Sequence, residues 1–277
     1  MLTLFPKIQW KNILWMIVRI IILVYFGLGL FLFLFQRSYI YFPQYTNFPV
    51  FNDCPFYMSE EQFDHRGTKF YKTEGLNDTV IVYYHGNAGT ACDRYEVREL
   101  LTQTGASLLF VEYPGYAGDT EKTTEKSIIN TVDHVIEYLS ENYEEKTNVI
   151  VIGRSIGTGA AAHHAARGAL DATILISPFT SLPAVAQLHY RVYPADLLMK
   201  DHFDNEQSLR DFTENVTIIH GKNDTIIPQE IGYALYEELQ TQKKHFVSIE
   251  SGDHNNLMEI EEFRTVFRDT VNTMMID

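Results

Sequence analysis

The strongest pattern along the chain is an apolar run over residues 13–35, broken only by Arg19 and followed at once by Gln36 and Arg37. As a helix, a run of that length crosses a hydrocarbon core of roughly 30 Å, and Arg19 lies near enough to its start to snorkel to the interface. A cleavable signal sequence carries an apolar stretch of about 7–15 residues that ends at small side chains. Here Phe31, Phe33 and Phe35 crowd the end instead, so the run is expected to remain as a membrane-spanning helix.

Beyond residue 63 the period changes. Short β-branched runs at 79–84, 107–112, 148–153, 172–176, 216–220 and 245–250 alternate with helix-like stretches at 92–103, 124–141, 156–167, 229–240 and 259–274. That alternation predicts an α/β fold with a mostly parallel central sheet and helices on both faces, preceded by the one N-terminal helix. Residues 181–212 mix apolar and charged positions between two strands, and a connection that long is expected to be a short lid over the carboxyl ends of the strands. The expected division is a tail (1–12), a spanning helix (13–35), a juxtamembrane linker (36–62) and the α/β domain (63–277).

Charge gives that helix a direction. Lys7, Lys11 and Arg19 flank its near side and Arg37 alone follows closely. This bias predicts a cytosolic N-terminus, with the domain on the periplasmic side of a bacterial membrane or the lumenal or extracellular side of a eukaryotic one. In the eukaryotic case Asn77 and Asn215 begin glycosylation sequons. Tyr39, Tyr41, Phe42 and Tyr45 suit the headgroup level or the start of the domain.

With 36 acidic against 22 basic residues the net charge is −14, which argues against a nucleic-acid partner and against electrostatic adhesion to anionic lipid. Cys54 and Cys92 lack metal or redox spacing, and no metal or cofactor is expected. Their pairing is left open, a buried unpaired Cys92 on a helix being the favoured reading. His163 and His164 are adjacent, so on a helix they point about 100° apart and cannot both face one metal. Nothing in the pattern bears on oligomeric state.

Chemistry concentrates around Gly153-Arg154-Ser155-Ile156-Gly157, a G-x-S-x-G pentapeptide between a buried strand and a helix of small residues. A serine on a strand-to-helix elbow needs glycines two residues away on either side, and it presents its hydroxyl above a helix N-terminus. Asp224 follows the strand at 216–220, and His254 follows the last strand. The order Ser155, Asp224, His254, each just past a strand end, is that of a nucleophile, acid and base triad. Asp253 is a weaker alternative acid, and Asp119 is expected in a turn. Oxyanion donors are expected from the backbone N–H of Ile156 and from the loop 85–89, with Asn87 first and Ala88 next. His85 is expected to be a structural hydrogen-bonder.

His85-Gly-Asn-Ala-Gly89, Glu112-Tyr-Pro-Gly-Tyr-Ala-Gly118, Gly153-Arg-Ser-Ile-Gly-Thr-Gly159, His220-Gly-Lys-Asn-Asp224 and Gly252-Asp-His-Asn255 together resemble the α/β-hydrolase superfamily. More narrowly they resemble its membrane-anchored abhydrolase-domain branch, which includes the fungal bud-emergence proteins. The resemblance covers about residues 63–274, and the stretch upstream, which should supply the first antiparallel strands, is hard to align. Glu112-Tyr-Pro stands where many relatives carry Asp-Tyr-Arg. The resemblance implies a serine hydrolase acting on small acyl esters, thioesters or lipids, held to the membrane by the N-terminal helix. The alternatives are a catalytically idle hydrolase fold serving as a membrane scaffold, or an amidase or peptidase using the same triad.

Overall fold

The structure, a computed structural model, describes residues 10–43, 46–47, 50–55 and 62–275. Lys7 and Tyr45, which entered the expectations above, lie outside them. The chain divides into two compact units, one reaching to Tyr39 and the other running from Ile40 onward. The first is a single helix, α1 (Trp10–Ile40), whose most apolar 18-residue window has a mean hydropathy of 2.6, and among the described residues it alone is long and apolar enough to cross a membrane.

The second unit is built on an eight-stranded sheet: β1 (Gln62–His65), β2 (Thr68–Thr73), β3 (Thr79–Tyr84), β4 (Ser107–Val111), β5 (Asn148–Arg154), β6 (Ala172–Ile176), β7 (Asn215–Gly221) and β8 (Lys244–Ile249). Their order across the sheet is β1-β2-β4-β3-β5-β6-β7-β8. β1 and β2 form an antiparallel hairpin and β2 pairs antiparallel with β4, while β3 to β8 pair in parallel. The hairpin supplies the antiparallel strands that the sequence left unassigned. Its turn at Arg66 and Gly67 has positive φ at both residues (52° and 82°), the conformation that matches the twist of two flanking strands.

Successive residues of a strand face opposite ways, so a wholly apolar strand serves two cores. Val80 and Val82 of β3 pack with Val132, Val135, Ala161 and Leu235, from α3 (Glu125–Asn142), α4 (Gly157–Arg167) and α8 (Gln229–Glu238). Ile81 and Tyr83 pack with Leu100, Phe263 and Phe267, from α2 (Tyr95–Thr102) and α9 (Glu261–Met274). The strands and helices expected from residue 79 onward are all present, with ends displaced by a few residues at most.

Three expectations change. The stretch anticipated as a lid contains α5 (Leu182–His189), α6 (Ala195–Leu198) and α7 (Asn205–Leu209); in its first part Tyr190, Val192 and Leu197 are open to solvent while Pro183, Tyr193 and Ala195 beside them are buried. In its second half Phe203, Leu209 and Phe212 are buried, the Phe203 ring occupying the space a side chain at Gly159 would need. Of the stretch expected as a linker, residues 36–39 lie in the helical unit, and the described residues from Ile40 onward belong with the second unit: Tyr41 and Phe51 are buried, and Phe51 stacks on Tyr71 with ring centroids 4.3 Å apart. Finally, Cys54 and Cys92 are disulfide-bonded. Cys92 lies in a 3-10 turn before α2 rather than inside the helix, which turns its thiol toward the incoming segment.

Candidate active site

Ser155 joins β5 to α4 with φ at 52°, a left-handed conformation that a non-glycine residue holds only under strain. The flanking glycines follow from geometry. A Cβ at Gly153 would press on the backbone of Gly157 and the Ala161 side chain, and one at Gly157 would collide with the carbonyls of Tyr84 and His85. The elbow is fixed by the Ser155 N–H, which donates to the Ile176 carbonyl of β6 at 2.8 Å.

Asp224 and His254 arrive on the loops after β7 and β8. These loops are tied together by the Asn223 N–H donating to the Gly252 carbonyl at 2.8 Å, with no space for a side chain at Gly221 against Gly252. His254 Nε2 lies 3.0 Å from Ser155 Oγ, and its Nδ1 lies 2.7 Å from Asp224 Oδ2. The other carboxylate oxygen, Asp224 Oδ1, accepts the N–H groups of Ile226 and Ile227 at 2.9 and 2.8 Å. Burial alone would push the Asp224 carboxyl up, but hydrogen bonds from His220 and His254 outweigh it and hold the group well below the usual carboxylate range.

The loop after β3 faces this elbow. In a trans peptide the C=O and the following N–H point oppositely, so a hydrogen bond to one aims the other. His85 Nδ1 lies 2.7 Å from the Gly86 carbonyl, fixing the plane that carries the Asn87 N–H. The Tyr116 hydroxyl donates to the Asn87 carbonyl at 2.7 Å, fixing the plane that carries the Ala88 N–H. Among the loop and turn hydrogen bonds of the described residues, the N–H groups of Ile156, Asn87 and Ala88 donate to no backbone carbonyl. His85 Nε2 meets the buried Glu112 carboxylate at 3.0 Å, and Glu112 also accepts the Ala91 N–H at 3.0 Å, so the two motif loops are locked to each other.

Two contributors had no role assigned from the sequence. Arg154, the variable residue before the serine, donates from Nη2 to the His254 carbonyl at 2.8 Å and so anchors the imidazole loop from a position 100 residues away. His220 is fully buried, with Nε2 donating to the Ile227 carbonyl at 2.8 Å and lying 3.5 Å from Asp224 Oδ2. In the sequence it stood only as the first residue of the His220–Asp224 motif, with no role of its own. The remaining candidates have structural partners. Asp119 Oδ1 accepts the N–H groups of Gly115 and Glu121 in a turn, and Asp253 Oδ1 accepts those of Asn255 and Asn256. His163 faces Asp133, whereas His164 bonds the Tyr84 hydroxyl through Nδ1 and is pushed by burial down to about 3.

Among the clefts of the described surface, two bear on where the site lies. The larger, about 660 Å³, lies along α3, α4 and α7 and touches none of Ser155, Asp224 and His254. A smaller one, about 400 Å³, is lined by His254 with Asn223, Ile226 and Asn256. The smaller cleft is the one adjoining the hydrogen-bonded chain, so chemistry and size point to different places and the chemistry decides.

No family model matches the chain. It is 28% identical over 247 residues to an uncharacterized protein of Mycobacterium tuberculosis, covering 87% of this chain and 88% of that protein. It is 28% identical over 180 residues to the lysophosphatidylserine lipase ABHD12 of Mus musculus, covering 58% of this chain and 45% of that lipase, less than half its length. In fold it is similar to an esterase of Pyrococcus furiosus, with a TM-score of 0.63 and 16% sequence identity over 77% of this chain and 88% of the esterase.

Proposed function

For a chain that belongs to the α/β-hydrolase superfamily, we propose a membrane-anchored serine hydrolase that cleaves carboxylic esters or thioesters of lipid-like acyl groups. The observation that carries this reading is the unbroken hydrogen-bonded chain from Ser155 Oγ through His254 to Asp224, at 3.0 and 2.7 Å. With Nδ1–H donating to the carboxylate, Nε2 is left as the acceptor that takes the serine proton.

The reaction then follows from these groups. As Ser155 Oγ bonds to the acyl carbon, its proton passes to His254 Nε2, and Asp224 stabilises the imidazolium that forms. Negative charge gathers on the former carbonyl oxygen, where the N–H groups of Ile156 and Asn87 receive it, with Ala88 adjacent; such donors are worth about 3–4 kcal/mol each. His254 returns the proton to the departing alcohol or thiol, leaving an acyl-serine. Water, deprotonated by the same imidazole, attacks the acyl-serine and releases the acid.

The substrate class draws support from three directions: the membrane-length helix, the exposed apolar residues Tyr190, Val192 and Leu197 on the excursion after β6, and similarity to a protein named as a lysophosphatidylserine lipase. A cytosolic N-terminus with the domain on the far side is favoured by the flanking charges and by the Cys54–Cys92 disulfide, since such bonds persist in oxidising compartments.

The test is fluorophosphonate labelling of the purified full chain beside Ser155→Ala, with turnover of p-nitrophenyl esters from short to long acyl chains. Labelling and hydrolysis by the wild type, with loss of both and a fall in kcat of at least about 10³-fold in the variant, are the expected results. A folded wild type that neither labels nor hydrolyses any ester would leave the fold as a scaffold.

A further inference from the structure

The loop that carries Asn87 and Ala88 is held from two sides, and the second holder is the stretch of chain that directly follows the apolar helix. Resting on the hydrolase reading above, we propose that the described residues between Tyr41 and Cys54 form a strap that positions the oxyanion loop. Asn87 is the positioning residue where strap and loop meet.

The described residues of this segment are fastened at four points. Nearest the helix, the Phe42 N–H donates to Asn87 Oδ1 at 3.0 Å, and Phe42 forms an isolated parallel bridge with Ala88. Next, the Thr46 hydroxyl and the Asn47 N–H both donate to the Asp93 carboxylate, at 2.5 and 3.1 Å, and the same carboxylate takes the Thr90 N–H at 2.7 Å. Asp93 thus ties the strap to the end of the oxyanion loop itself. Burial opposes ionisation of Asp93, yet the hydrogen bonds from Thr46, Thr90 and Asn47 hold its carboxyl below the ordinary value, so the tie is a charged one. Third, the Phe51 N–H donates to the Ala117 carbonyl at 3.1 Å, and the Tyr71 hydroxyl donates to the Phe51 carbonyl at 2.8 Å. Last, Cys54 is bonded to Cys92, beside Asp93.

The division of labour at Asn87 explains the residue type. Its backbone carbonyl is taken by Tyr116 from within the domain, and its side-chain carbonyl by Phe42 from the strap. Tyr116 thus holds the peptide plane after Asn87 while Phe42 holds its side chain, so the Cα between them is pinned from both the domain and the strap. Alanine here would keep every backbone donor and lose only the link to the strap. A backbone donor displaced by about 1 Å costs on the order of 10²-fold in rate, because oxyanion stabilisation depends on preorganisation. The strap therefore acts on the chemical step rather than on substrate affinity.

The experiment uses the full chain in detergent and compares wild type, Asn87→Ala, Asn87→Asp and Phe42→Pro. The last of these removes the donating N–H and leaves Asn87 intact. For each, kcat and KM on a p-nitrophenyl ester, the rate of fluorophosphonate labelling and the unfolding temperature are measured. Asn87→Ala is expected to lower kcat and labelling rate by about tenfold or more with KM within about twofold, at unchanged unfolding temperature. Asn87→Asp, which keeps an acceptor oxygen at the same place, is expected to recover most of the loss, and Phe42→Pro to reproduce it. An Asn87→Ala protein with wild-type kcat, or one no worse than Asn87→Asp, overturns the strap while leaving the hydrolase reading intact. If Asn87→Ala does not fold, a Phe42→Pro protein at full kcat overturns it equally. A wild type without labelling or turnover removes the hydrolase reading and this inference together.

Discussion

Ser155 sits at φ 52°, and a residue with a Cβ in that region gives up about 1–2 kcal/mol that the surrounding fold must supply. The hydrogen bond to Ile176 and the missing side chains at positions 153 and 157 allow it, which is why the pentapeptide alone marks the elbow. Asp224 is a second residue whose setting can be tested. Its folded-state carboxyl lies below the ordinary 3.8, so its ionisation stabilises the fold fully above that pH and the contribution is lost only as pH falls through the depressed value. Asp224 itself should consequently contribute no ionisation to the kcat/KM profile above about pH 4. A carboxyl ionisation in that range would contradict the assignment. Asp224→Asn should lower kcat by about 10⁴-fold with the fold intact, because the amide favours the wrong imidazole tautomer. Steady-state rates from pH 4 to 9 on both proteins check the pair of expectations. Arg154 shows the limit of reading single residues: its position beside the serine was plain, but its partner, the His254 carbonyl, lies on a loop that only the folded sheet brings near.

At the scale of elements, the interior strands were legible because parallel strands buried on both faces are continuous apolar runs, as β3 and β5 are. β1 and β2 were not, since four and six residues with Lys69 and Lys72 among them give no comparable run. The excursion after β6 mixes two environments in one stretch, and a sequence average hid that Phe203 and Phe212 belong to the core. The disulfide closes a separation of 38 residues, for which chain-entropy arguments give about 4 kcal/mol. Cys54→Ser and Cys92→Ser are each expected to cost about 2–4 kcal/mol in denaturant unfolding, with the double variant costing no more than either single one, because one bond is lost in all three. Additive losses, or two titratable thiols in the native protein, would show that the bridge does not form.

For the whole molecule, the boundary falls between Tyr39 and Ile40, at the last turn of α1, and not near residue 63. Deleting residues 1–39 should therefore release a soluble protein that still labels with fluorophosphonate, whereas the full chain should stay in the membrane fraction after alkaline carbonate extraction. Deletion to residue 62 would remove Tyr41, Phe42 and Cys54 as well, and should cost activity for the reasons given above. Extraction of the full chain by carbonate would count against a spanning helix. By itself the sequence determined what local spacing can encode: an apolar helix of membrane length, the alternating α/β frame, a glycine-flanked serine, and an acid and a histidine in order after later strands. Only the tertiary structure decided which distant groups meet. The contacts of Phe42 with Asn87, Arg154 with the His254 loop and Cys54 with Cys92 join positions 45, 100 and 38 residues apart. No periodicity records such contacts, because they depend on how the sheet twists and where its loops converge.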